Sequence, residues 1–160
     1  FNALLIARAP LQLFQAVQTS ILPHLTGLFA SGEADPFRHS VNATLVAVGA
    51  FGAAVATGTL LLGPWVMGLL FGGDFVYGWL GLVLVAAGMG LYLAAATLNQ
   101  AALARGQAPA AAACWVGSAL GFVVLLLLPG FEDRVLQLEL AFVAGAALLC
   151  AALGVLYRRA

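Results

Sequence analysis

The charges of this chain fall in a few short clusters separated by long neutral runs. No formally charged side chain occurs between Arg38 and Asp74, between Asp74 and Arg105, or between Arg105 and Glu132. Each interval exceeds the roughly 20 apolar residues with which a helix crosses about 30 Å of hydrocarbon. Helices of that kind must be covered by lipid or by one another, and the charged clusters are their natural loops. Composition agrees. Hydrophobic residues make up 64% of the chain and charged residues 8%, against about a quarter charged in a soluble domain. That supply cannot furnish a water-facing surface, so the expected fold class is all-α, a polytopic transmembrane bundle.

The formal net charge is zero, and all six cations are arginines. Without a basic face, nucleic acid is excluded as a partner, and the lipid bilayer takes its place. Cys114 and Cys150 both lie inside apolar runs, where they read as small buried hydrophobes and not as a disulfide or metal pair. The chain opens at Phe1 within an apolar stretch, with no basic n-region or small-residue cleavage site before it. It therefore reads as a single domain over 1–160, a fragment of a longer polypeptide, and not as a signal peptide followed by a domain.

Five spans are expected. The first covers 3–29 as one helix kinked by Pro10, with Pro10 as the opening residue of a shorter helix the alternative. The polar loop 31–38 leads to a second helix over 41–62, which Gly63 and Pro64 should stop. Residues 65–71 are too short to span and read as an interfacial segment. Trp65, Tyr77 and Trp79 would then form an aromatic belt at the headgroups. The third helix is expected over 76–104, ending at Arg105 and Gly106. The fourth runs over 109–128, ending at Pro129 and Gly130, and the fifth over 136–157.

With five spans, Arg38, Arg105, Arg158 and Arg159 fall on one side and Arg134 on the other. Short cytoplasmic loops carry the excess of arginine. This predicts a multi-pass protein of the cell (inner or plasma) membrane with its C-terminus cytoplasmic. Gly117 with Gly121, Gly52 with Ala56, and Gly90 with Ala94 are small residues four apart, the spacing that lets helices approach closely in lipid.

Catalytic patterns are scarce. His24 and His39 have no cysteine or carboxylate at metal-ligand spacing, and no P-loop, GxSxG or HExxH occurs. The residues therefore call for no enzyme activity, no metal and no cofactor. Asp74 reads as a turn residue, Glu132 and Asp133 as a solvated loop pair, and Glu139 as close enough to the fifth helix's outer end to reach water.

One stripe stands out. At 100° per residue, Arg8, Gln12, Gln15, Thr19 and Thr26 fall within about 60° of one another. Polar side chains on a membrane helix face a bundle interior or a wet cavity, so this face reads either as a solute-facing wall or as interhelical hydrogen bonding with Arg8 snorkelling outward. Thr97, Asn99 and Gln100 form a weaker cluster, read as interhelical glue.

Several strings carry a resemblance. The run RAPLQLFQAVQTSILP over 8–23, the short loop closing on Phe37 and Arg38, Gly63 and Pro64 followed by Leu69, Leu70, Phe71, Gly72 and Phe75, and Leu103 to Gly106 between two spans resemble the C-terminal half of polysaccharide-biosynthesis flippases. These belong to the multidrug/oligosaccharidyl-lipid/polysaccharide (MATE-like) exporter superfamily. The resemblance covers nearly the whole chain. It implies most of the second six-helix lobe of an alternating-access transporter, with the N-terminal lobe of the same polypeptide as partner. The implied substrate is a polyprenyl-pyrophosphate-linked oligosaccharide. Arg8, with Gln12, Gln15 and Thr19 beside it, would be the substrate-binding face, since cavity arginines of such flippases meet the pyrophosphate. The alternatives are a drug/cation antiporter of the same superfamily, which would need a carboxylate inside the bundle, and a non-transporting membrane scaffold or anchor.

Overall fold

A computed structural model describes residues 21–32, 34–71, 79–129 and 133–159. Within them the chain forms five helices and no strand: α1 (Ile21–Ala30), α2 (Ala34–Phe71), α3 (Trp79–Ala104), α4 (Ala108–Leu127) and α5 (Arg134–Arg159). Four of them contain stretches long and apolar enough to cross a membrane: Ala34–Gly58, Val83–Ala104, Ala108–Leu127 and Arg134–Arg159. The expected first span lies mostly outside the described residues, and α1 is its described part.

The turns explain the topology. α3 stops at a left-handed glycine: Gly106 has φ +74°, its N–H donates to the Leu103 carbonyl at 2.9 Å, and the Gln107 N–H donates to the Ala102 carbonyl at 2.9 Å. That pair of bonds satisfies the last carbonyls and reverses the chain within two residues. Pro109 then sits in the first turn of α4, where its missing N–H costs nothing. Gly32, also at φ +74°, makes the reversal between α1 and α2. Asp133 caps α5, its carboxylate accepting from the N–H groups of Val135 at 2.8 Å and Leu136 at 3.3 Å.

The neighbours of α3 and α5 advance together along both helices, Gly81 with Glu139, Gly88 with Phe142 and Leu98 with Gly154, so these two run parallel to each other. α3 is the hub, packed against α2, α4 and α5. Its last turns are therefore buried on nearly all sides, with Ala95, Ala96, Leu98, Ala101, Ala102 and Ala104 in the core. Alanine dominates because three neighbours close on one rod, and a small side chain lets each approach. One core joins Ala95, Leu98 and Ala102 to Ala111 of α4 and to Leu149 and Leu153 of α5; Cys114 and Cys150 pack against it as free thiols. A second joins Leu25, Phe37, Val41, Ala101 and Ala104, tying α1 to α2 and α3.

Glycines set the closest approaches. A Cβ on Gly52 would lie 3.3 Å from the Gly90 Cα, so α2 and α3 cross with nearly bare backbones in contact. A Cβ on Gly88 of α3 would run into the Phe142 ring of α5, 2.5 Å away, and Gly145 of α5 faces the Phe122 side chain of α4 at 3.4 Å. Gly52 and Gly90, the first members of two of the expected small-residue pairs, meet each other, but the expected pair on α4 is only half engaged. Gly121 meets Leu148, whereas Gly117 is exposed with nothing within 4 Å of its position.

Two boundaries depart from expectation. α2 begins at Ala34 and not at 41, so much of the expected polar loop is helical. More consequentially, Gly63 and Pro64 do not end it: the helix is continuous from Ala34 to Phe71, and 65–71 is no separate segment. A proline forfeits one backbone hydrogen bond. Leaving the helix in apolar surroundings would strand several groups, so running through the proline is the smaller cost. Trp65 accordingly projects from the side of α2, 67% exposed.

The outer faces are apolar. On α4, Val116, Leu120, Val124 and Leu127 form an exposed stripe, and on α2 Val46, Phe51 and Leu61 are exposed. In a membrane these surfaces meet hydrocarbon, which makes the bilayer the partner of the bundle.

Candidate functional site

The sequence-predicted substrate face, Arg8, Gln12, Gln15 and Thr19, lies outside the described residues. Thr26 of the same stripe is described. It is exposed, and its hydroxyl donates to the Leu22 carbonyl of its own helix at 2.8 Å. The described residues instead gather polar groups in three places.

The first is the middle of the α3–α4 seam. Asn99 Oδ1 accepts a hydrogen bond from the Trp115 indole N–H at 3.0 Å, and the Trp115 ring meets Tyr92 edge-on with centroids 6.0 Å apart. Thr97 is buried, its hydroxyl donating to the Leu93 carbonyl at 3.1 Å. Gln100 keeps a buried side-chain oxygen without a hydrogen bond. Of the three residues expected to join helices, Asn99 does so, whereas Thr97 bonds its own helix.

The second is the end of the bundle where α2 begins and α3 and α5 finish. Arg105 follows the last residue of α3, so its side chain leaves the hub helix among three neighbours. Its guanidinium lies over the Phe37 ring of α2 at 4.8 Å and the Tyr157 ring of α5 at 4.6 Å. Its Nη1 also donates to the Tyr157 carbonyl at 2.9 Å. That carbonyl belongs to the last turn of α5, where a cation is favoured by the helix dipole. Arg38, Arg158 and Arg159 stand at the same end, as their even-sided placement in the sequence implied. Leu28, Phe29, Gly32, Ala34, Phe37, Arg38 and Arg105 line a cleft there of about 150 Å³.

The third is the opposite end of α5. Gln137 is buried and donates through Nε2 to the carbonyls of Leu125, Leu126 and Leu128 at 3.0–3.1 Å. Arg134 Nη1 holds its other amide atom at 3.0 Å. Two residues further along, and therefore on another side of α5, Glu139 is 6% exposed, with its carboxylate in the space that a side chain at Gly81 would occupy. This corrects the expectation that Glu139 reaches water. Proximity to a helix end suggested solvent, but the closeness of α3, allowed by Gly81, covers the carboxylate.

No family model matches this chain, nor does any curated protein or solved structure at a significant level. The site residues therefore stand on their own chemistry. Among the described residues no group of three histidines, cysteines or carboxylates could hold a metal, and His24 and His39 are exposed. Sequence reasoning missed two features, the aromatic seat of Arg105 and the burial of Glu139. The seat left no local signal, because its rings come from two other helices. The burial had a faint one in Gly81 and Gly88, seven residues apart and so on one face of α3.

Proposed function

We propose that this chain is part of a membrane transporter, a flippase that moves a polyprenyl-pyrophosphate-linked oligosaccharide across the bilayer by alternating access. The observation that carries this reading is the polar periodicity of Arg8, Gln12, Gln15 and Thr19 in an otherwise apolar stretch of sequence. Its setting is a chain that resembles, over nearly all of its own length, the C-terminal half of such flippases. An arginine in a membrane helix is costly unless it reaches water, headgroups or an anionic partner, and a diphosphate offers oxygens that a guanidinium grips through two hydrogen bonds. Glutamines one and two turns away suit sugar hydroxyls. An antiparallel run of apolar helices joined by a tight turn at Arg105 and Gly106 supports the same architecture.

The test is flipping of lipid-linked oligosaccharide by the full-length protein in liposomes. Arg8→Ala lowers flipping strongly, Arg8→Lys restores part of it because lysine acts as a point charge, and Leu13→Ala, about 130° away from the stripe at 100° per residue, does little. A wild-type rate in Arg8→Ala removes the site and leaves Arg8 a snorkelling anchor.

One observation favours a second reading, the drug/cation antiporter of the same superfamily. Such a protein needs a carboxylate inside the bundle, and Glu139 is buried between α5 and α3. In that case Glu139→Gln abolishes the proton or sodium dependence of substrate export from proteoliposomes. Unchanged ion dependence in this variant eliminates the reading.

A further inference from the structure

The cleft at the arginine end combines two walls of opposite character. Arg38 and Arg105 form one, and Leu28, Phe29 and Phe37 form the other. Arg105 is fixed, not swinging: two rings flank its guanidinium and one of its donors is spent on the Tyr157 carbonyl. A guanidinium carries five N–H donors, so most of them remain for an acceptor in the cleft. Arg38, one turn into α2, is exposed and has no hydrogen-bond or ion-pair partner among the described residues. Asp35 stands one turn before it but outside the cleft lining. The cleft therefore presents unspent, charged donors and offers no acceptor side chain of its own.

Its depth in the bilayer follows from the helices that frame it. All four apolar membrane-length stretches begin or end on the side of the bundle where the cleft lies, which in a bilayer sets it near the lipid headgroups. Phe29, 49% exposed, and the half-buried Leu28 continue its apolar wall along α1. We propose that this cleft binds the phosphate of an anionic phospholipid, with Arg38 and Arg105 on the phosphate oxygens and the Leu28–Phe29 wall against the glycerol and upper acyl chain. Basic pockets between membrane helices hold anionic headgroups in this way, and the planar fork of arginine grips two phosphate oxygens at once where a lysine would act as a point charge. A free phosphate ion shares the oxygen chemistry but leaves the apolar wall unused. The inference is independent of any transported substrate.

Native mass spectrometry of the full-length protein from mixed phosphatidylglycerol and phosphatidylcholine bilayers tests it. The wild-type protein retains one phosphatidylglycerol in preference to phosphatidylcholine. Arg38→Gln weakens that retention about tenfold, as the loss of a charge-assisted contact should. Because Arg38 is exposed and bonds nothing among the described residues, this variant folds even where Arg105→Gln does not. Arg159→Gln, at the same end but outside the cleft, leaves retention unchanged. Wild-type retention in Arg38→Gln overturns the site, and so does an equal loss in Arg159→Gln, which would mean diffuse attraction. In phosphatidylcholine discs, inorganic phosphate at millimolar concentration does not bind. Saturable phosphate binding there, without preference for phosphatidylglycerol, overturns the lipid assignment.

Discussion

The Glu139 carboxylate occupies the space that any side chain at Gly81 would need. α3 and α5 thus meet through a glycine on one helix and an acid on the other, and further along through Gly88 against the Phe142 ring. The two contacts predict different costs. Gly88→Ala drives a methyl into an aromatic ring held between helices, and overpacking of that kind costs about 1–3 kcal/mol. Gly81→Ala meets the far end of a flexible side chain that can swing aside, so it costs less but displaces the carboxylate. Gly117→Ala meets nothing and is neutral. Unfolding in mixed micelles orders the three variants, and equal losses in Gly88→Ala and Gly117→Ala would contradict the packing.

At the α2–α3 crossing the obstacle is backbone. A Cβ on Gly52 has only the Gly90 Cα to push against, at 3.3 Å, and neither helix can yield locally. Gly52→Leu separates the helices, and disulfide crosslinking between cysteines introduced at Phe37 and Ala104 falls, because both belong to the core that the crossing holds together. Unchanged crosslinking would show that α2 is held elsewhere.

Gln137 is the cap of a neighbouring helix. Its amide nitrogen, with two N–H donors, lies within bonding distance of three carbonyls at the end of α4, groups that the helix itself cannot satisfy. Gln137→Leu leaves them without that donor at about 1–3 kcal/mol. Gln137→Glu is worse, since a carboxylate faces carbonyl oxygens with no N–H to offer. Thermal unfolding in detergent should rank wild type above Gln137→Leu above Gln137→Glu.

Asn99→Leu removes the acceptor of the Trp115 indole. Interhelical hydrogen bonds in bilayers average about 0.6 kcal/mol and reach about 1.7, so the loss in stability is small. Trp115 emission changes more clearly, because the indole N–H loses its partner. An unchanged spectrum, read with the other two tryptophans replaced by phenylalanine, would refute the bond.

Sidedness follows from the alternation of α2 to α5. With Cys114 and Cys150 replaced by alanine, single cysteines at Ser31 and Gln107 should label from one face of the membrane and a cysteine at Asp133 from the other. If the arginine-rich face is the cytoplasmic one, as expected from the sequence, the first pair labels only from inside the cell. Labelling of Ser31 and Asp133 from the same face would break the span order.

Much of the bundle was legible because charge and punctuation coincide along the chain. Arg105 with Gly106 marked the end of α3, since a left-handed position there accepts glycine at no cost. The limits expected for α4 and α5 fell within two residues of those observed. Pro64 misled for a physical reason: breaking rules drawn from water weaken where exposed backbone has no solvent to bond. The sites were less legible. Arg105 stands in the sequence without an aromatic neighbour, and its rings lie far away at Phe37 and Tyr157. Glu139 looked solvated because the helix that covers it starts at Trp79. The stripe headed by Arg8 remains a reading of periodicity, outside the described residues.

The length of α2 has a mechanical consequence. At 38 residues and 1.5 Å per residue it is about 57 Å long, nearly twice the roughly 30 Å of hydrocarbon it traverses. Gly52, where it touches Gly90, stands at its midpoint. Two glycines in contact leave no interlocking side chains at that point, so it resembles the fulcrum of a beam with arms of about 27 Å. Rocking α2 by about 10° there would carry each tip about 5 Å, in opposite directions on the two faces of the membrane.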